Sequence, residues 1–420
     1  MRVHLALVVL CVGCSGRGGA TSGISGNADG GQDAGSAQTR DGGHGALGGG
    51  NGSFSASSVG SGGMKAPNAS ASQGSAFGDN SDNNSASNGA FNGASHGTAA
   101  PAGGSTISGA GATGGGDGGV PAGVLTAGAW DDNRNYDFFD AYLAANGQLA
   151  GVPPVAQADR DQAYNLFSGS RPVRSRLDIA IVIDTTGSMQ DEASYLSAEF
   201  QNISAAITAQ FPNADQHWGL VAYRDRPETD PGDEYVVRSW DFTTDLASYQ
   251  RNIGALTAGN GGDYPEAPDV GLATANGLSW RTDPAVARLA FWVADAPQHD
   301  QYAGAMAQDF SDARAKDIHL YPVSASGADE LLEYTMRSGA QVTGGRYLFL
   351  TDDSGIGDPH LIPSIPCYFV TKLEKAIIRM ASIELSGIYV EPDAADVIRT
   401  GGNPSAGQCS LGDGGVVHVF

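Results

Sequence analysis

The chain has 420 residues, 61 of them glycine, and a formal net charge of -23. Its length allows two or three domains, and its acidity is typical of a soluble surface. Because binding to phosphates depends on clustered Lys and Arg, and the chain has no basic run, the sequence excludes a nucleic-acid partner.

The amino terminus, residues 1–14, has the pattern of an export signal, with Arg2 before the apolar stretch Leu5 to Val12. That stretch is too short to span a bilayer. The run LCVGC resembles a bacterial lipobox, which implies acylation at Cys14, although Cys11 stands where that motif usually has Leu. This predicts an outer-membrane or cell-surface lipoprotein that meets the membrane only through its lipid. The alternative, cleavage near Ala20, predicts a periplasmic or secreted protein.

Residues 15–124 consist almost entirely of Gly, Ser, Ala, Asn and Asp. Such a segment cannot bury enough apolar surface to offset the entropy of ordering its backbone, so we expect a disordered linker. Residues 125–173 are richer in aromatic side chains, and we predict that this extension packs on the main domain. Residues 388–420 are predicted to form a short carboxyl-terminal extension.

Residues 174–387 show the alternation of strands and helices that is typical of an α/β domain. Leu177 to Ile183 (LDIAIVI) is a continuous apolar run, as expected of a central strand buried on both faces of a parallel sheet. A helix follows, whose apolar stripe is Leu196, Phe200, Ile203, Ile207 and Phe211.

The same alternation continues to the last predicted helix. Further strands are predicted at Trp218–Tyr223, Tyr235–Phe242, Arg288–Ala294, Ile318–Val323 and Arg346–Leu350. Further helices are predicted at Asp245–Leu256, Glu266–Leu278, Ala303–Lys316 and Asp329–Arg337, and a last one carries Val370, Leu373, Ile377, Met380 and Ile383 on one face. The fold class is therefore a Rossmann-like, doubly wound, mostly parallel sheet with helices on both faces, in which ligands bind beyond the carboxyl ends of the strands.

The loop after the first strand of this domain, DTTGSM, is suited to a metal ion. Asp184, Thr186 and Ser188 place oxygen atoms at alternate positions, and Gly187 permits the tight turn. These donors favour Mg²⁺, with Mn²⁺ or Ca²⁺ possible, and the lack of nearby His and Cys disfavours zinc. The simpler alternative is that Asp184 only caps the following helix.

This loop resembles the Asp-x-Ser/Thr-x-Ser signature of the metal-ion-dependent adhesion site of von Willebrand factor A domains. Two further loops match in order: GGDYPE, which contains Asp263, and VADAP, which contains Asp295. The flanking sequence GLVAYRD is most similar to the hemicentin-like branch of that family. The resemblance implies a metal site formed by Asp184, Thr186, Ser188, Asp263 and Asp295.

The same resemblance implies a non-enzymatic, metal-dependent protein-binding or adhesion module, expected to be monomeric. In integrins a neutral Thr stands where this chain has Asp263, so three carboxylates around a divalent ion would leave a formal charge of -1. A partner's acidic side chain would therefore be attracted less strongly. Two alternatives remain: a metal-assisted hydrolase or phosphatase with Asp184 as nucleophile, and a structural envelope protein whose metal only holds loops together.

Three neighbouring residues have simpler interpretations. Glu266 follows a proline and is expected in the first turn of a helix, where the helix dipole favours a carboxylate. His299 and Asp225 are expected to be solvated loop residues.

Cysteine usage agrees with an exported protein. If Cys11 is removed with the signal and Cys14 carries lipid, Cys367 and Cys409 remain as a pair in an oxidising compartment. We predict a disulfide between them, with two free thiols as the alternative.

Overall fold

The protein is described by a computed structural model that covers residues 120–130, 132, 134–167, 171–228, 231–232, 234–410 and 416–418. The predicted export signal, Cys14 and nearly all of the predicted linker lie outside this range. Within it, no helix has both the length and the apolar character needed to cross a membrane.

A nine-stranded sheet forms the centre of the fold, in the spatial order β4-β3-β2-β5-β6-β7-β1-β8-β9. Its strands are β1 (Thr126–Trp130), β2 (Arg176–Asp184), β3 (Asp215–Tyr223), β4 (Val237–Thr243), β5 (Val286–Ala294), β6 (Ile318–Ser324), β7 (Tyr347–Leu350), β8 (Tyr368–Lys372) and β9 (Arg399–Gly401). The five strands β3, β2, β5, β6 and β7 are parallel, and β4 pairs with β3 in the antiparallel direction. The predicted, mostly parallel sheet is confirmed.

Eight α-helices accompany the sheet in the part of the chain that the structure describes. They are α1 (Asn135–Asn146), α2 (Gln157–Phe167), α3 (Gln190–Gln210), α4 (Leu246–Gly254), α5 (Pro268–Asn276), α6 (Ala303–Ala315), α7 (Glu330–Thr343) and α8 (Leu373–Ser386). The apolar side chains of α3, α4 and α8 share one core cluster, and those of α5, α6 and α7 share another. Helices therefore cover both faces of the sheet, as the predicted fold class requires.

β2, an interior strand that is third in the sheet order, shows how the sequence specifies these two layers. Successive side chains of a strand point to opposite faces. Leu177, Ile179, Ile181 and Ile183 accordingly join the cluster on the α3 side, whereas Ala180 and Val182 join the other. All these residues are buried, because β2 lies between β3 and β5 with a helical layer on each face.

The segment predicted as an extension, residues 125–173, contributes a strand to the sheet itself. β1 lies between β7 and β8 and is antiparallel to both, with Ala127 opposite Leu350 on one side and Thr371 on the other. The prediction for Val370 was wrong in one respect. Val370 belongs to β8, and the last helix begins only at Leu373. An apolar residue three positions before Leu373 fits either element, and the pairing with β1 decided for the strand.

The carboxyl-terminal segment adds a last strand to the nine-stranded sheet, next to β8. β9 pairs with β8, and a separate three-stranded sheet contains β10 (Pro404–Ser405), β11 (Gln408–Ser410) and β12 (Val416–His418). Cys409 of β11 forms a disulfide with Cys367, which directly precedes β8. This covalent bond joins the small sheet to the main one.

A buried carboxyl on α6 provides a test of the packing. Asp309 is 7% exposed, and burial next to Asp269 raises its pKa from 3.8 to about 8. When the pKa of a carboxyl is higher in the folded than in the unfolded state, the protein loses stability as pH rises, here from about 4 towards 8. We expect Asp309→Asn to leave stability unchanged at pH 4 and to increase the free energy of unfolding at pH 8 by on the order of 2–3 kcal/mol.

Urea denaturation of wild type and variant at both pH values measures this effect. Asp312→Asn, an exposed carboxyl on the same helix, is the matched control and should change little at either pH. An equal gain for Asp309→Asn at pH 4 and pH 8 would show that its carboxyl titrates normally.

Candidate metal centre

The loops that follow β2, β3 and β5 meet at the carboxyl edge of the sheet. These three strands are neighbours and run in the same direction, so their last residues lie side by side. The loop that precedes α5 reaches the same place, since the backbone N–H of Gly187 donates to the carbonyl of Asn260 over 2.6 Å.

The predicted metal loop holds its three oxygen-bearing side chains close together. Asp184, the last residue of β2, accepts hydrogen bonds through Oδ1 from the Thr186 backbone N–H at 2.9 Å and the Thr186 hydroxyl at 2.7 Å. The Thr186 and Ser188 hydroxyl oxygens lie 3.2 Å apart. A Cβ on Gly187 would lie 2.7 Å from the Asn260 carbonyl oxygen, so the turn depends on glycine at this position.

Asp295 joins this group from the end of β5. The Ser188 hydroxyl hydrogen-bonds to its carboxylate. Burial raises the pKa of Asp295 to about 6, although the Ser188 hydrogen bond opposes the increase. Burial and the neighbouring Asp295 carboxylate raise the pKa of Asp184 well above its usual value. The surroundings thus disfavour ionisation of both carboxyls unless a positive charge lies between them.

The two carboxylates also have oxygen atoms available for a ligand. Asp184 Oδ2 and Asp295 Oδ1 are buried, and neither has a hydrogen-bond partner among the residues that the structure describes. A buried carboxylate oxygen is costly unless it is hydrogen-bonded, paired with a charge or bound to a metal. The donors Asp184, Thr186, Ser188 and Asp295 are all oxygen atoms, so they fit a hard divalent cation such as Mg²⁺.

Glu266 lies at this centre and outside the helix, so the interpretation as a first-turn helix residue was wrong. α5 begins at Pro268, and Glu266 is instead held by a short parallel bridge to Gln298, with its side chain 2% exposed. A Cβ on Gly261 would lie 2.8 Å from Glu266 Oε1 and 2.9 Å from Thr186 Cβ. Gly261, whose φ is 110°, therefore lets the Glu266 carboxylate approach the Thr186 side chain.

The structure groups Asp263 with a different set of residues. Asp263 is exposed. Its carboxylate forms a cluster with the carboxylate of Asp225 and the imidazole of His299, and the potential ligand atoms of the three side chains are all within 4.8 Å of one another. Direct contacts thus unite Asp184, Thr186, Ser188 and Asp295. For Asp263, ligation of the same ion stays a prediction.

Asp225 and His299 are buried, so their interpretation as solvated loop residues was wrong. Asp225 is fully buried and His299 is 7% exposed, with His299 Nε2 only 2.9 Å from Asp225 Oδ1. The preceding residue, Gln298, pairs with Glu266 in a short parallel bridge, so the loop after β5 lies against the loop that precedes α5. The sequence contained a signal for Asp225, because it stands two residues after the buried strand β3, as Asp184 and Asp295 stand at the ends of β2 and β5.

A group of buried polar residues lies near Asp295, and the Glu192 carboxylate in it contributes to the raised pKa of Asp295. Glu192 of α3 is fully buried and accepts a hydrogen bond from the Ser326 backbone N–H, and His360 Nε2 lies 2.9 Å from its Oε1. Burial lowers the pKa of His360, but hydrogen bonds to Glu192 and Asp352 outweigh this effect and raise it. At the rim the Tyr264 hydroxyl lies 3.1 Å from the Asp295 carbonyl oxygen.

Comparisons with known proteins give partial matches only. No protein family profile matches the chain. Over 123 residues it is 33% identical to a protein of Acanthamoeba polyphaga mimivirus that is described as ariadne-like with a RING finger. The match covers 29% of this chain and 11% of that protein, so the chain spans about a tenth of that relative's length.

Three solved structures align with part of this chain at low sequence identity. A pilus adhesin of Lactobacillus rhamnosus GG is 11% identical with a TM-score of 0.33, over 42% of this chain and 28% of the adhesin. An aerotolerance-related membrane protein of Bacteroides fragilis is 13% identical with a TM-score of 0.31, over 43% of this chain and 94% of that one. The proximal thread matrix protein 1 of the mussel byssus, solved with a zinc-occupied metal-ion-dependent adhesion site, is 16% identical with a TM-score of 0.31, over 40% of each chain.

The fold class is identified from the arrangement of strands, helices and loops in the chain itself. Five parallel strands carry helices on both faces, and the predicted metal loop follows the interior strand β2. The chain therefore has the Rossmann-like α/β fold that its resemblance to von Willebrand factor A domains implied.

Proposed function

We propose that this chain is a non-enzymatic protein-binding module that acts outside the cytoplasm and depends on one divalent metal ion at the carboxyl edge of its sheet. The observation that carries the proposal is the pair of buried carboxylate oxygens, Asp184 Oδ2 and Asp295 Oδ1, beside the Thr186 and Ser188 hydroxyls. A divalent cation would relieve the repulsion between the two carboxylates and bind their available oxygens.

The residues that would hold the ion are those that direct contacts bring together. Thr186 and Ser188 would contribute hydroxyl oxygens, and Asp184 and Asp295 would contribute carboxylates. Glu266, whose carboxylate faces Thr186 across Gly261, would be a further donor, alongside the predicted ligand Asp263. When bound, the ion supplies a positive centre to which an oxygen atom of a partner protein can be attracted.

The charge of this site determines which partners it favours. Asp184, Asp295 and Glu266 would leave a divalent ion with a formal charge of -1, and Asp263 as a fourth carboxylate would leave it at -2. Electrostatic attraction for a partner's acidic side chain would therefore be weak. Contacts at the rim would then contribute much of the affinity. Tyr264 is 41% exposed there and offers an aromatic ring beside the site, a residue type that is enriched in protein interfaces.

The location follows from the amino-terminal segment. Its export-signal pattern and Cys14 support a lipid-anchored protein at the outer membrane or the cell surface, with a Gly- and Ser-rich segment between the anchor and the domain. If Cys14 is not acylated, the same segment supports a periplasmic or secreted protein. In both cases the binding domain meets partners outside the cytoplasm.

Capture of surface proteins by the immobilised full chain tests the proposal. We expect specific capture in 2 mM Mg²⁺, loss of at least tenfold in EDTA, and the same loss for Asp184→Asn in Mg²⁺. Asp283→Asn is the control, because Asp283 lies before β5 at the opposite edge of the sheet and is half-exposed in an ion pair with Arg176. Capture that persists unchanged in EDTA and in Asp184→Asn would contradict metal-dependent binding.

Two other functions give different results in the same assays. An enzyme that used Asp184 as nucleophile would turn over a phosphoester or peptide substrate and lose that turnover in Asp184→Asn. A structural protein whose metal only holds loops together would bind the ion and gain stability from it. It would capture the same partners with and without metal.

A further inference from the structure

We propose a second divalent-cation site, formed by Asp225, Asp263 and His299, that lies beside the first and prefers a transition metal such as Zn²⁺. The three residues come from three different loops: Asp225 follows β3, Asp263 precedes α5 and His299 follows β5. Asp263 was predicted as a ligand of the first ion, and the present proposal assigns it to the second site instead. The proposal does not rest on the protein-binding function proposed above.

The distances suit a shared ligand. The potential ligand atoms of the three side chains are all within 4.8 Å of one another, and Asp225 Oδ1 and His299 Nε2 are 2.9 Å apart. Donors around a tetrahedral zinc ion, at metal distances of about 2.1 Å, lie roughly 3.4 Å from each other. Small side-chain rotations therefore suffice to bring the three atoms around one ion.

Burial distinguishes this cluster from an accidental group of surface acids. Asp225 is fully buried and His299 is 7% exposed, whereas Asp263 is exposed and faces solvent. The His299 ring is packed edge-on against the Tyr302 ring, with centroids 6.3 Å apart. The Arg226 guanidinium lies over the same tyrosine, 3.5 Å from its ring centroid. Two ligands are thus buried, and the exposed third leaves the site open for exchange of the ion.

An Asp–His ion pair is the simpler explanation of the buried contact between Asp225 and His299. That pair involves only two of the three side chains, whereas the ligand atoms of Asp263, Asp225 and His299 are all within 4.8 Å of one another although they come from three loops. A divalent cation would bind all three, with one imidazole nitrogen and two carboxylates as ligands.

The ligand types determine which metal each site prefers. One imidazole nitrogen with two carboxylates is a common ligand set for Zn²⁺ and other first-row transition metals. The first site offers only oxygen atoms, which suit Mg²⁺. We therefore expect the two sites to be occupied by different ions when both metals are present.

Zinc binding by the full chain in excess Mg²⁺ tests this proposal, because Mg²⁺ then occupies the first site. We expect one equivalent of Zn²⁺ by equilibrium dialysis, and an imidazole-dependent visible absorption band when Co²⁺ replaces Zn²⁺. His299→Ala and Asp225→Asn should weaken zinc binding at least 100-fold and remove that band. Asp263→Asn, at an exposed position where folding is not at risk, should weaken it at least tenfold.

Two controls separate this site from the first one. His217→Ala removes a partly exposed histidine at the opposite edge of the sheet and should leave zinc binding unchanged. Asp184→Asn should retain the zinc equivalent and lose only the response to Mg²⁺. Zinc that is lost in Asp184→Asn but retained in His299→Ala and Asp263→Asn would overturn the proposal, as would a wild-type chain that binds no zinc at micromolar concentration.

Discussion

Replacement of Asp184 by Asn should stabilise the metal-free protein and abolish its response to metal. Asp184 is fully buried, and the nearby Asp295 carboxylate disfavours its ionised form. Asparagine keeps the size and the acceptor for Thr186 but removes the charge, so the repulsion disappears. In the wild type the same repulsion is relieved by the ion, and at a metal concentration of 100 times Kd the ion should add about 2.7 kcal/mol of stability.

Thermal unfolding in EDTA and across a Mg²⁺ or Mn²⁺ titration measures both effects. We expect the wild-type Tm to rise by several degrees with metal. In EDTA the Asp184→Asn variant should have a higher Tm than the wild type, and adding metal should leave the Tm of the variant unchanged. Asp283→Asn at the opposite edge should behave like the wild type. A variant that is less stable in EDTA, or that still responds to metal, would show that Asp184 is a structural cap rather than a metal ligand.

Loss of the disulfide should be the largest change in stability away from the metal centre. Cys367 and Cys409 are bonded across a sequence separation of 42 residues, and both are buried. The chain-entropy estimate for a loop of this length is about 4 kcal/mol. We expect the double variant Cys367→Ser with Cys409→Ser to lose about 3–4 kcal/mol of unfolding free energy, because its unfolded chain regains this freedom.

Urea denaturation of the oxidised wild type and of the double variant measures this loss, and reduction of the wild type with dithiothreitol should reproduce it. The affinity for Mg²⁺ should stay within about threefold, since the disulfide precedes β8 at the edge of the sheet opposite the metal centre. An unchanged denaturation midpoint would show that the carboxyl-terminal segment contributes little to the stability of the domain.

Local patterns were sufficient for the parallel part of the fold. The continuous apolar run of β2 is buried on both faces, and the stripe of Leu196, Phe200, Ile203 and Ile207 on α3 faces one core cluster, as predicted. Each pattern arises within one element, so it can be read without knowledge of the neighbours. The position of Asp184, Thr186 and Ser188 at the carboxyl edge followed in the same way, because that edge is where loops after parallel strands lie.

The antiparallel additions to the sheet depend on contacts between distant segments. β1 pairs with residues more than 200 positions away in β7 and β8, and the sequence around Thr126 contains no pattern that specifies those partners. Strand pairing is decided by which edge is free and by the register that buries the most side chains. Val370 was assigned to a helix for this reason.

The sequence by itself determined the class of fold and the position of the candidate metal centre at the carboxyl edge of the sheet. It also determined four oxygen donors that direct contacts bring together: Asp184, Thr186, Ser188 and Asp295. Only the tertiary structure decided that Glu266 faces this group and that Asp225, Asp263 and His299 form a second cluster. The physical reason is that a loop side chain is positioned by the loops packed against it. Its burial and direction therefore depend on residues that are distant in sequence and leave no periodic signal of their own.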